Sequence, residues 1–305
     1  MYALLTSRAI VGEIYNRLNA GDESWVLRYA MKITSKQAIE TYGWLGMVPM
    51  MREWIGGRDP KKLREFTWAI ANKDYEGTLE ILVSELRRDA SGQLLIRIAE
   101  FARRALSHPA KLMTQKIVDG PSTACYDGQY FFDTDHSEGL SGSQDNDKTS
   151  AAANGTTPTT QEMRDAILGL IAAILSFKDD QGEPMNENAR TFEVMVPIVY
   201  WAAALSAVGL PVLGGGEVNL LANLDGFTIR VVPNARLPWT DKFAVFRTDG
   251  ETKPFILQEE VPLNVSAIAE GSELEFTHKK HWYGIDWAGN LDFGFWQHAG
   301  LHTFT

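Results

Sequence analysis

Cysteine is almost absent from this 305-residue chain: Cys125 stands alone, so neither an intrachain disulfide framework nor a cysteine-based zinc site can form. Phosphate cradles are missing too. No GxGxxG follows a strand-like run, and Gly214-Gly215-Gly216 is not followed by Lys-Ser/Thr. HExxH and GxSxG do not occur. Basic charge is in the minority, with 29 Lys+Arg against 39 Asp+Glu and a net charge of −10. That balance argues against a protein that wraps nucleic acid through bulk charge. The opening MYALLTSRAIVGEIYNRLNAG carries Arg8 and Glu13 among its apolar positions, so it lacks the apolar stretch of a signal peptide. Without an export signal, the sequon Asn154-Gly155-Thr156 has no consequence. The one long uncharged run, Val194 to Leu213, contains Pro197 and Pro211 and ends on three glycines. It reads as a buried strand, VMVPIVY, and a short buried helix, WAAALSAVG, rather than a membrane span. The expectation is a soluble protein made inside the cell.

What is present is ordinary globular material, 45% hydrophobic and 22% charged, enough for one large or two intertwined domains. Leu4, Leu5, Ile10, Ile14 and Leu18 recur at helical spacing. Phe66, Trp68 and Ile70 alternate with polar or small residues, as do Tyr75, Gly77, Leu79, Ile81 and Val83. With Asn72-Lys73-Asp74 between them, the two runs predict a hairpin. Its many charges suit an arm that projects from the body. A long helix is expected over residues 91–118, with Asp89 and Ser91 as capping candidates and a kink near Ser107 imposed by Pro109. The arginines on its polar side (Arg87, Arg88, Arg97, Arg103, Arg104) read as a solvated face. Residues 139–160 are polar and read as a mobile surface loop. Thr160-Gln161-Glu162-Met163 opens a further helix, which ends before KDDQGEPMN. The last third is β-rich, including two alternating runs on either side of Gly289-Asn290. The class is α+β.

Candidate chemistry concentrates in YDGQYFFDTDH, where Asp127, Asp133, Asp135 and His136 could hold a divalent cation for a metal-assisted hydrolase. The spacing does not match a calcium loop, and turn hydrogen bonding by these side chains is the favoured reading. Cys125 and His136 make a weak nucleophile and base pair, because such pairs are assembled by the fold and not by proximity in sequence. The C-terminal aromatics Trp282, Tyr283, Trp287, Phe293, Phe295 and Trp296 read as core packing before a stacking platform. No catalytic set is persuasive, and neither a metal nor a cofactor is expected.

Taken with GMVPMMREWIGGR and ANKDYEGTLEI, the block YDGQYFFDTDH resembles the major head subunit family of Mu-like phages and prophages, over essentially the whole chain. Tyr126, Asp127, Gly128, Phe131, Phe132, Asp133, Asp135 and His136 carry the most specific part. Family members often continue with proline after the histidine, where Ser137 stands here. The resemblance implies a Hong Kong 97-type capsid fold: an N-terminal arm (1–58), an extended β-hairpin loop (59–88), a peripheral domain with the spine helix (89–159 and 253–305) and an axial domain (160–252). It implies a self-assembling, non-enzymatic shell protein of the virion, assembled in the bacterial host cytoplasm without a membrane. The implied partners are its own copies, a separate scaffolding protein, a maturation protease, portal and decoration proteins, and packaged DNA held non-specifically. Intersubunit contacts are expected from Trp68, Ile70, Tyr75 and Leu79, with Arg64, Glu65, Glu76 and Glu80 setting register. The acidic balance further predicts a neutral to acidic inner wall.

Overall fold

The computed structural model describes residues 6–21, 24–43, 68–89 and 92–305. Leu4, Leu5, the 46–58 block, Arg64, Glu65, Phe66 and Ser91 lie outside the described residues. The elements run α1 (Ser7–Ala20), α2 (Ser24–Leu27), β1 (Ala30–Thr34), β2 (Ile39–Tyr42), β3 (Trp68–Ala71), β4 (Lys73–Leu82) and α3 (Val83–Arg88). They continue with α4 (Gln93–Leu106), α5 (His108–Asp119), β5 (Asp147–Ser150), α6 (Thr160–Ser176), β6 (Thr191–Val196) and α7 (Trp201–Gly209). The chain closes with β7 (Thr228–Pro233), β8 (Lys242–Arg247), β9 (Phe255–Ile268), α8 (Glu273–His278), β10 (Lys280–Phe293) and β11 (Ala299–Phe304).

The long helix forms and breaks where proline requires. Pro109 sits in the first turn of α5, where its missing N–H costs nothing, so the chain breaks at Ser107 and restarts. Gly92, not Asp89, takes the N-cap position of α4, while the Asp89 carboxylate reaches in to accept from the N–H groups of Gln93 and Leu94 (both 3.1 Å). At α6, Thr159 and Glu162 exchange capping-box hydrogen bonds. Ile167, Leu170, Ile171 and Ile174 then line the buried face of that helix.

Sheet pairing departs from the expected hairpin. The first sheet has the order β1-β9-β10-β4, and β4 runs antiparallel to β10 from Leu82↔Lys280 to Lys73↔Gly289. The partner of β3 is β2, with Tyr42 opposite Trp68 and Ile39 opposite Ala71. Asn72 is therefore a junction between strands of different sheets. Its Nδ2 donates to Ser35 Oγ (2.9 Å) and the Gln37 carbonyl (2.8 Å), and its Oδ1 accepts from Gln258 Nε2 (2.6 Å). The alternation along β4 is real, but it faces this subunit's own core. Ile81 is packed with Ile98, Ala102, Tyr283 and Ile285, while Glu76 and Glu80 point to solvent. Gly77 lets Phe101 of α4 approach closely.

The second sheet has the order β5-β11-β8-β6-β7. Residues 139–160 are no plain loop, because β5 pairs in parallel with β11 and Asn146 is fully buried beneath it. Both β5 and β11 join this sheet although they fall outside 160–252. The alternating runs around Gly289-Asn290 form one strand, β10, with a bulge in its pairing to β9 between Asp286 and Gly289. Glycine is required there, since a Cβ on Gly289 would lie 2.3 Å from the Gln258 carbonyl oxygen. A shared core joins the two sheets through α5 and α6, with Phe131, Phe255, Phe293 and Trp296 among its buried aromatics. Among the described residues, no helix is long and apolar enough to cross a membrane.

Candidate assembly surfaces and the buried motif

The motif block is a buried polar knot. Asp127 is 2% exposed at its side chain and accepts from three donors. Cys125 Sγ (3.0 Å) and the Gln129 N–H (3.1 Å) reach Oδ1, and His136 Nδ1 (2.7 Å) reaches Oδ2. A carboxylate acceptor assigns the ring proton of His136 to Nδ1. The imidazole also stacks on Trp296, with ring centroids 3.9 Å apart. Beside it, Glu138 Oε1 accepts from Tyr126 Oη (2.5 Å), Trp296 Nε1 (3.2 Å) and Gln297 Nε2 (3.2 Å). Burial pushes the Glu138 carboxyl up from its ordinary range. Two carboxylates thus fasten the block to the residues that lead into β11.

The hydrolase reading loses its geometry here. Asp133 turns to the backbone N–H groups of Tyr130 (3.1 Å) and Thr134 (2.7 Å), and Asp135 accepts from Gln129 Nε2 (2.9 Å). Only Asp127 and His136 of the four meet. Potential ligand atoms of Cys125, Asp127 and His136 do lie within 4.8 Å of one another, but they are committed to each other as hydrogen-bond partners. The thiol is pushed well up by burial and by the Asp127 charge, which is the opposite of nucleophile activation. Gly128, at φ +91°, supplies the left-handed turn, and Phe131 and Phe132 fill the core.

A second knot sits under the end of β8. Asn186 Oδ1 accepts from Arg247 Nη1 (2.9 Å) and faces His298 Nδ1 (2.8 Å), while His298 Nε2 meets Thr252 Oγ1 (2.9 Å). Burial, reinforced by Arg247 and Lys253, holds the imidazole down at about 3. The unfolded chain takes up this proton below about 6.5 and the folded chain does not, so stability falls as pH drops through that range. The expected loss is about 2 kcal/mol at pH 5 relative to pH 7. Glu138 acts in the opposite sense, since folding favours its protonated form and its contribution fades as pH rises through the folded value. Urea unfolding of the protein and of His298→Gln at both pH values isolates the histidine. An equal loss in the two would refute the assignment.

The residues expected to touch neighbours are mostly committed within the subunit. Ile70 is 1% exposed and belongs to the core. Tyr75 packs on His108 (4.3 Å) and Trp287 (5.5 Å), and burial raises its hydroxyl. Leu79 and Trp68 are half-buried against the two core clusters. Glu80 pairs with Lys280 (2.7 Å) and accepts from Trp282 Nε1 (3.0 Å), and Glu76 accepts from Thr78 Oγ1 (2.7 Å).

The exposed apolar surface lies elsewhere. Ile198, Val199, Trp201, Leu205, Leu210, Val212, Val218 and Leu220 are all exposed, within one stretch of chain. Asn219 ties that stretch together by donating from Nδ2 to the carbonyls of Ala207 and Leu210 (both 2.7 Å). Only Ala204 and Ala207 of α7 are buried, so the helix expected inside the core has one face in water. The sequence carried the signal: a helix with no polar face belongs in an interior.

A family profile described as the Mu-like prophage major head subunit gpT matches residues 8–163 and 228–302. The major capsid protein of Escherichia phage Mu is 37% identical over 109 residues, 36% of this chain and 36% of that protein. The Mu-like prophage FluMu major head subunit of Haemophilus influenzae is 37% identical over 120 residues, 39% of each. Each alignment therefore spans less than two fifths of the curated relative. Among solved structures, a chain of the bacteriophage JBD30 procapsid superimposes with a TM-score of 0.55 at 24% identity, covering 96% of this chain and 72% of that one. A chain of the bacteriophage JBD30 capsid gives 0.57 at 23%, covering 72% and 92%. One from the bacteriophage PhiM1 mature capsid gives 0.59 at 11%, covering 92% and 86%. The fold is that of tailed-phage major capsid proteins, the Hong Kong 97 type.

Proposed function

The chain belongs to the Mu-like prophage major head subunit gpT family, and from that premise we propose that it is the major capsid protein of a Mu-like phage or prophage, acting by self-assembly. The observation that carries the reading is the apolar face of α7 and residues 210–220. Folded monomers rarely leave a contiguous patch of this kind in water, and patches that persist mark interaction sites. In a shell, the face is covered by the next copy around a five- or six-fold axis, and the heterologous contact closes into a ring.

In this reading, the sheet β1-β9-β10-β4 with α4 and α5 makes the peripheral domain. The sheet β5-β11-β8-β6-β7 with α6 and α7 makes the axial domain. Of the extended loop expected over 59–88, the described part from Trp68 on is β3, β4 and α3, which pair and pack within the subunit. The main apolar anchors move accordingly from β4 to α7. A separate scaffold, a maturation protease, a portal, decoration proteins and packaged DNA belong to the same reading and rest on the family alone. So do a virion location and assembly in the host cytoplasm. Sedimentation and electron microscopy of the purified protein test it. Capsomers, tubes or shells are expected, and a species that stays monomeric at tens of micromolar would overturn it.

A further inference from the structure

A cleft of about 580 Å³ opens where the spine helix breaks. Its walls include Trp25 and Val26 of α2, Leu106 and Ser107 at the break, and Pro233 and Ala235 at the end of β7. Arg28, Arg103 and Arg236 also line it, and among the described residues no acidic side chain does. Three cations around an apolar floor are conspicuous in a chain of net charge −10. Arg28 pairs with Glu193 (3.0 Å) and Arg103 with Glu100, while its Nε leaves Arg28 with a buried donor that no protein atom satisfies. Among the described residues, Arg236 is exposed and makes no ion pair.

The complementary surface is the tip between β9 and β10. Phe276 of α8 is 86% exposed there, the most exposed large apolar side chain among the described residues. Glu270 and Glu273 are exposed beside it, and Ile268 extends the apolar part. An aromatic knob with carboxylates on its β9 side, and exposed Lys279 on its β10 side, faces an apolar floor with an arginine rim.

The tip cannot reach the cleft of its own subunit. The start of α1 touches the tip through the Ser7 N–H to Glu270 (2.8 Å), whereas Gly21 at the end of α1 lines the cleft. The 14 residues of α1 hold the two about 21 Å apart, at ~1.5 Å per residue. A tip that fills this cleft therefore comes from another copy. We propose that Phe276 of one copy seats in the Arg28–Arg103–Arg236 cleft of another, a head-to-tail contact that repeats from subunit to subunit. The inference rests on the self-assembly reading and gives it a second, separate interface. Burial of the phenyl ring supplies the adhesion, and the carboxylates against arginines set orientation and suppress tip-to-tip pairing. Such a contact is heterologous, so it links copies without being used up by a pair.

The test is a cysteine pair, Phe276→Cys with Ala235→Cys, in protein that has been allowed to assemble and is then mildly oxidised. Native Cys125 is buried and does not take part. A ladder of covalent oligomers beyond the dimer is expected from the double variant, and monomer from each single variant. Assembled particles without a ladder, or dimers from Phe276→Cys alone, would overturn the contact and leave the assembly reading standing. A wild-type protein that forms no multimer would overturn both. Phe276→Ser supplies a second readout, because a side chain so exposed contributes little to folding. At least a tenfold drop in sedimenting material is expected, and an unchanged amount would refute the proposal.

Discussion

Replacing both Trp201 and Leu205 by glutamate is expected to abolish assembly and leave a folded subunit. Trp201 is 45% exposed and Leu205 47%, so neither anchors the core; Ala204 and Ala207 do that on the other side of α7. Unfolding by urea should therefore move by less than about 1 kcal/mol, the range of surface substitutions. In the proposed shell the same positions face a neighbour. Each charge would then be buried without a partner at a cost of several kcal/mol, repeated at every contact around the ring. The measurement is sedimentation together with circular dichroism. A folded variant that sediments as shells would remove α7 from the interface. A variant that is unfolded at pH 7 would show that α7 belongs to the core after all.

Asp127→Ala carries the largest expected loss of stability. The carboxylate holds Cys125, Gln129 and His136 in a place water does not reach. Removing it leaves three donors without an acceptor and frees the imidazole that stacks on Trp296. Leaving a single buried donor unsatisfied costs about 1–3 kcal/mol, so the three together are expected to cost on the order of 3–5 kcal/mol. Asp127→Asn keeps the shape and one acceptor oxygen, and should lose less than half as much. Urea unfolding decides between them. A loss below about 1 kcal/mol for Asp127→Ala would mean that the block is not the fastening described. Its chemistry would then need another explanation.

These outcomes turn on what a linear pattern can and cannot express. Proline at position 109 and the Thr159–Glu162 box act within a turn of their own backbone, so the break in the spine and the start of α6 were legible. The alternation of Tyr75, Leu79 and Ile81 was legible as a strand with one apolar face. Its partner was not. Period-2 patterning says which side of a strand is buried but not what lies beside it. The Asn72-Lys73-Asp74 signal suggested a reversal, yet Asn72 spends its side chain on Ser35, Gln37 and Gln258, contacts far away in sequence. Strand β5 was hidden for a related reason. Its residues Asp147–Ser150 are polar and fall in the least hydrophobic stretch, and they are held by pairing with β11 at the other end of the chain.

The motif block was recognisable as a unit, but its role was not. Four side chains in eleven residues suggested a shared ligand, whereas the fold sends Asp133 and Asp135 to local turns and Asp127 to the interior. The reading of WAAALSAVG failed in the most informative way. Its lack of a polar face predicts burial within the subunit. The structure leaves that face in water, and in the proposed assembly the interior it needs is supplied by the next copy.

Single-particle cryo-electron microscopy of the particles formed by this chain tests that claim most directly. The expected result is a closed shell of pentamers and hexamers in which Trp201, Leu205 and Val218 of each copy are covered by the next copy around the axis. A shell in which that face stays in solvent, or a preparation that holds only monomers, would contradict it.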